Sequence, residues 1–197
     1  MLEAFLSSHW TEQGALLTGI IYVILAARES VWCWPWGIVS SSLWAYGTLV
    51  LYSLYADFGL QLFYVLMGCI GLYQWRFGSG GGRELAISRM SWRDHLQLVG
   101  LGVLLGLFFG YFFANYTQAA ATYADAFTTS FSILATFLVI QKKLENWLYW
   151  IVTDLAYVAL YVERGAKLYA ALMILYTLIA IFGYEQWKKH LKRAART

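Results

Sequence analysis

The chain has 197 residues, 60% hydrophobic and only 13% charged, with a net charge of +3 and a mean hydropathy of +0.56. Soluble domains are about half apolar and about a quarter charged. These values therefore exclude a soluble globular protein and describe an integral membrane protein, with 19% aromatic residues available for interfacial belts or a binding site.

A membrane-spanning helix needs about 20 mostly apolar residues. Seven segments meet that requirement, predicting an all-α protein: 11–27, 32–53, 57–76, 95–114, 122–141, 145–163 and 167–187. The runs are continuous rather than alternating, which excludes a β-barrel. The first segment is the shortest, with fifteen uncharged residues between Glu12 and Arg28. The stretch before it lacks the basic residues of a cleavable leader, so it is expected to stay as an anchor. The second opens on Trp32-Cys33-Trp34-Pro35-Trp36-Gly37. Pro35 suits the first turn of a helix, and Trp36 starts a stripe with Ser40 and Trp44 that can face the protein centre.

The third segment carries Gln61, Tyr64, Gly68 and Gly71 at spacings of three and four. A glutamine inside a membrane needs a polar partner, which a neighbouring helix or a ligand can supply. Gly78-Ser79-Gly80-Gly81-Gly82 begins a flexible cytoplasmic linker, 78–93. The fourth segment is mostly Leu, Phe and Gly and reads as a linker helix. The sixth carries Trp147, Trp150, Asp154, Tyr157 and Tyr161 as one stripe, since steps of three and four share a helix face. Asp154 lies midway between Glu145 and Glu163. A carboxylate at bilayer mid-depth costs roughly 2.5–3.5 kcal/mol on insertion scales. Two indoles and an acid on one face suit a flat, electron-poor or cationic ring.

Charge sets the expected topology. Arg28, Arg76, Arg83, Arg89, Arg93, Lys142, Lys143 and the tail residues Lys188, Lys189, Lys192, Arg193 and Arg196 share one side, and only Arg164 and Lys167 fall on the other. The positive-inside rule places the first set in the cytoplasm, with the N-terminus outside and the basic tail 188–197 inside. That tail serves as a topology anchor and has the composition to meet anionic lipid.

The chain also repeats itself. Gly71, Gln74, Trp75 and Arg76 recur as Gly183, Gln186, Trp187 and Lys188 at a constant offset of 112, which Tyr64 and Tyr176 share; Trp36 matches Trp150 at 114. Residues 11–76 and 122–187 are accordingly read as two parallel three-helix repeats joined by a single helix at 95–114. Parallel repeats occur in transporters, with the substrate near mid-depth between them. Cys33 and Cys69 are dispersed in apolar stretches, so neither a metal nor a cofactor is expected. With Asp154 the one central ionisable group, no acid–base pair for an enzyme is visible. A retinal protein would need a lysine within 168–187, where there is none.

Glu145-Asn146-Trp147-Leu148-Tyr149-Trp150-Ile151-Val152-Thr153-Asp154 resembles the ENWxxWxxxN signature of the PnuC-type vitamin transporters. Trp34-Pro35-Trp36-Gly37-Ile38, Leu54 to Gln61 and Gly71 to Trp75 resemble the same family, so the likeness spans roughly Trp32 to Trp187. The resemblance implies a 3-1-3 arrangement of seven helices, like that of SWEET sugar carriers. It further implies a homotrimer in the bacterial inner membrane. Facilitated diffusion and trapping of the solute by a cytoplasmic kinase are implied as well. The implied substrate is nicotinamide riboside or, in a related branch, thiamine; both are cationic heteroaromatics, and nucleic acid has no part. Trp147, Trp150 and Asp154 fall at the family's ligand positions, with Asp154 where nicotinamide riboside carriers have asparagine. Gln61, Tyr64, Trp36 and Tyr157 complete the expected site. A sugar carrier with tryptophan stacking is the remaining alternative.

Overall fold

The computed structural model describes residues 9–51, 55–78, 84–116 and 123–194. The glycine-rich stretch 79–82, Arg83, and residues 1–8, 52–54, 117–122 and 195–197 lie outside them. Seven helices are present among the described residues: α1 (Trp10–Ala27), α2 (Cys33–Tyr46), α3 (Tyr55–Phe77), α4 (Trp92–Tyr116), α5 (Tyr123–Ile140), α6 (Asn146–Glu163) and α7 (Lys167–Ala194). In hydrocarbon every backbone polar group must be satisfied within its own segment, so long apolar runs become helices. α2 widens at its end into a π-helical turn, Gly47–Leu51. Pro35 sits in the first turn of α2, where no backbone N–H is needed.

Five helices, α1, α3, α4, α5 and α7, are long and apolar enough to cross a membrane by length and composition alone. α2 is short, and α6 spends one face on Trp, Tyr and Asp rather than on aliphatic residues. α7 runs on past Trp187 through the basic segment to Ala194. Lys, Arg, Leu and Ala are good helix formers and nothing breaks the helix there.

The packing is a closed ring. α1 packs on α2, α2 on α3, α3 on α5, α5 on α6, α6 on α7, and α7 on α1. α4 stands outside this ring against α5. The later part of the α3–α4 connection is fastened: Leu85 N–H bonds Trp75 O at 3.1 Å, and Ser88 pairs with the α5–α6 turn through Lys142 O and Leu144 N.

Matched geometry recurs around the ring. α1 and α5 both end in a Schellman cap with a non-glycine residue in the left-handed conformation, Glu29 (φ 60°) and Lys142 (φ 48°). Ser30 N–H bonds Leu25 O and Lys143 N–H bonds Leu138 O, each at 2.9 Å. Trp34 meets Trp75 edge-on at 5.4 Å and 88°, and Trp147 meets Trp187 at 5.5 Å and 87°. A Cβ at Gly71 would lie 2.4 Å from the Trp34 ring, and one at Gly183 2.7 Å from the Trp147 ring, so both crossings need glycine. The geometry thus pairs Trp34 with Trp147, not Trp36 with Trp150.

Candidate functional site

The ring encloses a cavity of about 1130 Å³. It runs from Asp57, Asp125 and Arg164, at one end of the helices, to a floor of Ala26, Trp34, Val139 and Trp147 near the other. Pockets for small molecules span roughly 300–1,000 Å³, so a nucleoside-sized solute has room.

At and below the floor four tryptophans pack among small and aliphatic residues. Trp34, Trp75, Trp147 and Trp187 are buried in one cluster, and Trp75 and Trp187 are 5.7 Å apart. The Trp75 indole donates to Val139 O at 2.9 Å and the Trp187 indole to Ala26 O at 3.0 Å. Both bonds tie a helix to its ring neighbour, α3 to α5 and α7 to α1. The indole N–H groups of Trp34 and Trp147 are buried with no hydrogen-bond partner among the described residues. Lys142 Nζ lies 3.0 Å from Glu29 Oε1 and 4.5 Å from the Trp75 ring centroid, and His190 Nδ1 meets the other Glu29 oxygen at 2.8 Å. Indoles, an ion pair and two Schellman turns together close this end.

α6 supplies one wall. Trp147, Trp150, Asp154, Tyr157 and Tyr161 all line the cavity, as their shared helix face requires. Trp147 forms floor rather than wall, at 3% exposure, and Trp150 is half-buried. Tyr157 and Tyr161 stack at 5.8 Å and 17° towards the mouth. Asp154 is 4% exposed, and among the described residues no cation or hydrogen-bond donor meets its carboxyl. Gln61 and Tyr64 of α3 line the cavity from another side.

Trp36 is placed elsewhere. It is 40% exposed and absent from the cavity wall, which α2 forms with Trp34, Gly37, Ser40 and Ser41. Three tryptophans at spacing two point in different directions, and the inward one is Trp34. Tyr22, Ser132, Thr136 and Tyr176 also line the cavity without having been singled out from sequence. The signal for Tyr176 was its match to Tyr64. The signal on α5 was its hydroxyl run, Thr128, Thr129, Ser130, Ser132 and Thr136, inside an otherwise apolar helix.

The first residues of the Glu-Asn-Trp motif are structural. Glu145 accepts from Met90 N–H at 2.9 Å and from Arg89 Nε at 3.2 Å, holding the α3–α4 connection on the α5–α6 turn. Asn146 is fully buried and donates to Lys143 O at 2.6 Å.

Three comparisons bear on this cavity. A family model described as "Nicotinamide mononucleotide transporter" matches residues 9–189. Nicotinamide riboside transporters PnuC of Neisseria mucosa and Escherichia coli are 26% and 25% identical; the alignments cover 93% and 90% of this chain and 74% and 84% of theirs. A riboflavin/roseoflavin transporter, RibM of Streptomyces davaonensis, is 21% identical over 95% of this chain and 88% of its own. The crystal structure of the vitamin B3 transporter PnuC superposes with a TM-score of 0.76 at 25% identity, covering 93% of this chain and 83% of that one.

Proposed function

Because this chain belongs to the nicotinamide mononucleotide transporter family, we propose that it is an inner-membrane carrier that takes up nicotinamide riboside by facilitated diffusion. The observation that carries the substrate class is Asp154: a carboxyl group on the wall of a membrane cavity, with no counter-charge from the protein. A bound pyridinium ring supplies that charge, and its face suits Trp150 above the Trp147 floor. A desolvated cation–π contact is worth about 2 kcal/mol. Gln61 of α3 is an amide on the cavity lining that can meet the solute's polar groups.

The charge balance favours the riboside over the mononucleotide. Asp57, Asp125 and Asp154 line the cavity against a single cation, Arg164, and that guanidinium is already paired with Asp125. A phosphate group, carrying about −1.5 to −2 charges at neutral pH, finds no open cationic partner on this wall.

The ring order and the recurring Trp–Trp crossings support the reading of two three-helix repeats, α1–α3 and α5–α7, with α4 as the joining helix. Rocking of one repeat against the other then exposes the cavity alternately to the two sides. The excess of Lys and Arg at the tryptophan end supports a cytoplasmic assignment for that end, with the mouth at Asp57, Asp125 and Arg164 outside. A homotrimer and a cytoplasmic kinase that traps the solute complete the proposal on family resemblance.

Tryptophan fluorescence of the detergent-purified protein tests it. Titration with nicotinamide riboside gives saturable quenching, and nicotinamide mononucleotide, riboflavin and thiamine bind at least tenfold more weakly. Saturation by thiamine or riboflavin with no response to nicotinamide riboside overturns the substrate assignment and leaves the carrier fold standing.

A further inference from the structure

Tyr64 and Tyr176 occupy corresponding places in α3 and α7, 112 residues apart, and both line the cavity. Their surroundings differ. Tyr64 has the Ser132 side chain of α5 as its polar neighbour. Ser132 spends its own proton on Thr128 O at 2.9 Å, so its oxygen is open to accept from the phenol. At the offset of 113 that relates Trp34 to Trp147 and Glu29 to Lys142, the counterpart of Ser132 on α1 is Gly19. A Cβ there would lie 2.7 Å from the Tyr176 hydroxyl oxygen and 3.1 Å from Ser40 Oγ. The Ser40 proton goes to Ala15 O at 2.8 Å. The counterpart of Asp154 on α2 is Ser41. So a wall with near two-fold repetition is asymmetric at its polar groups. One tyrosine hydroxyl has a serine side chain beside it. The other faces glycine, has no hydrogen-bond partner among the described residues, and has Asp154 as its electrostatic neighbour.

We infer that Tyr176 is a specificity-determining residue of this carrier: its hydroxyl and Asp154 together hold a polar group of the solute, such as a ribose hydroxyl or a carboxamide, and Gly19 is the positioning residue that lets the phenol reach that point. Tyr64, with Ser132 beside it, is the lesser contributor. The inference rests on the reading of the cavity as a solute site. A phenol facing the cavity with no protein partner leaves unmade a hydrogen bond worth about 1 kcal/mol, which a solute supplies. Serine at position 19 would rebuild the second repeat's arrangement and occupy the phenol. Glycine avoids this and makes room.

The test is nicotinamide riboside binding to detergent-purified, monodisperse variants. Tyr176→Phe removes only the hydroxyl and weakens binding roughly three- to tenfold, at least severalfold more than Tyr64→Phe. Gly19→Ala weakens binding on its own by displacing the hydroxyl. In the Tyr176→Phe background it adds little, because the oxygen that its methyl would strike is gone. That non-additivity separates positioning from general damage to the helix crossing. Tyr176→Phe binding like wild type, a larger loss in Tyr64→Phe, or fully additive effects of Gly19→Ala and Tyr176→Phe would each overturn the inference. Wild-type protein that binds none of nicotinamide riboside, thiamine and riboflavin overturns instead the cavity reading beneath it.

Discussion

At the scale of single residues, Asp154 separates function from packing. Its carboxyl is 4% exposed and without a partner among the described residues. A buried charge with no partner destabilises the protein that carries it, so its retention has to be justified by what it binds. Asp154→Asn keeps the shape and removes the charge. The expected outcome is at least a tenfold loss of affinity for nicotinamide riboside with a melting midpoint unchanged or raised. Unchanged affinity with a lowered midpoint would make Asp154 a packing residue. The spacing Trp147, Trp150, Asp154, Tyr157 is visible in the sequence, because a helix face repeats every three or four residues and the charged member stands out against hydrocarbon. Trp34 was not legible, since the sequence offers Trp32, Trp34 and Trp36 without saying which faces inward; only the crossing with Gly71 and Trp75 decides it. Tyr176 was hidden for another reason. Tyrosine is common at membrane interfaces, and what distinguishes this one is the glycine opposite, on a helix more than 150 residues earlier.

At the scale of elements, all seven helices were legible to within a few residues at most ends, because an apolar run in hydrocarbon has no alternative to the helix. Where the sequence reading stopped short, side-chain partners decided the outcome. Residues 84–90 sit in a stretch read as a loose linker, yet they dock on the α5–α6 turn through Ser88 and the Glu145 carboxylate. The joining helix α4 also has a built seam. Gly102, Gly106 and Gly110 recur every four residues, and Cβ atoms there would lie 2.6, 2.6 and 2.3 Å from Phe131, Phe127 and Tyr123 of α5. Small residues at this spacing let helices approach closely in a membrane, where burial from water no longer drives association. Gly106→Leu therefore forces α4 off α5, at a cost of about 1–3 kcal/mol or more. It should lower the melting midpoint in detergent by several degrees. Leu104→Ala, at a position 65% exposed on the same helix, should leave the midpoint within error. Equal effects of the two substitutions would mean that the seam contributes nothing specific.

At the scale of the whole molecule, the cavity ends on the tryptophan floor, so a solute that enters at Asp57, Asp125 and Arg164 can leave at the other side only if that end opens. The fastenings there join α1–α3 to α5–α7: the Trp75 indole to Val139, the Trp187 indole to Ala26, and Glu29 to both Lys142 and His190. Of these, the Lys142–Glu29 ion pair can be cut with least change of shape. Lys142 is 3% exposed at its side chain, and removing one partner of a buried pair costs roughly 3–5 kcal/mol, because it strands the other charge. Glu29→Gln therefore penalises the closed arrangement, in which Lys142 is buried, more than an open one, in which water reaches it. Cys33 reports the difference, since it is free, fully buried and packed with Ala26, Ala27 and Trp34 in this layer. In a Cys69→Ser background, a membrane-impermeant maleimide added from the basic side should label Cys33 slowly in the otherwise wild-type protein. Glu29→Gln should raise that rate severalfold, and the paired exchange Glu29→Lys with Lys142→Glu should restore slow labelling. Slow labelling in Glu29→Gln, with transport intact, would mean that the halves part by another route and that the ion pair only anchors the two turns.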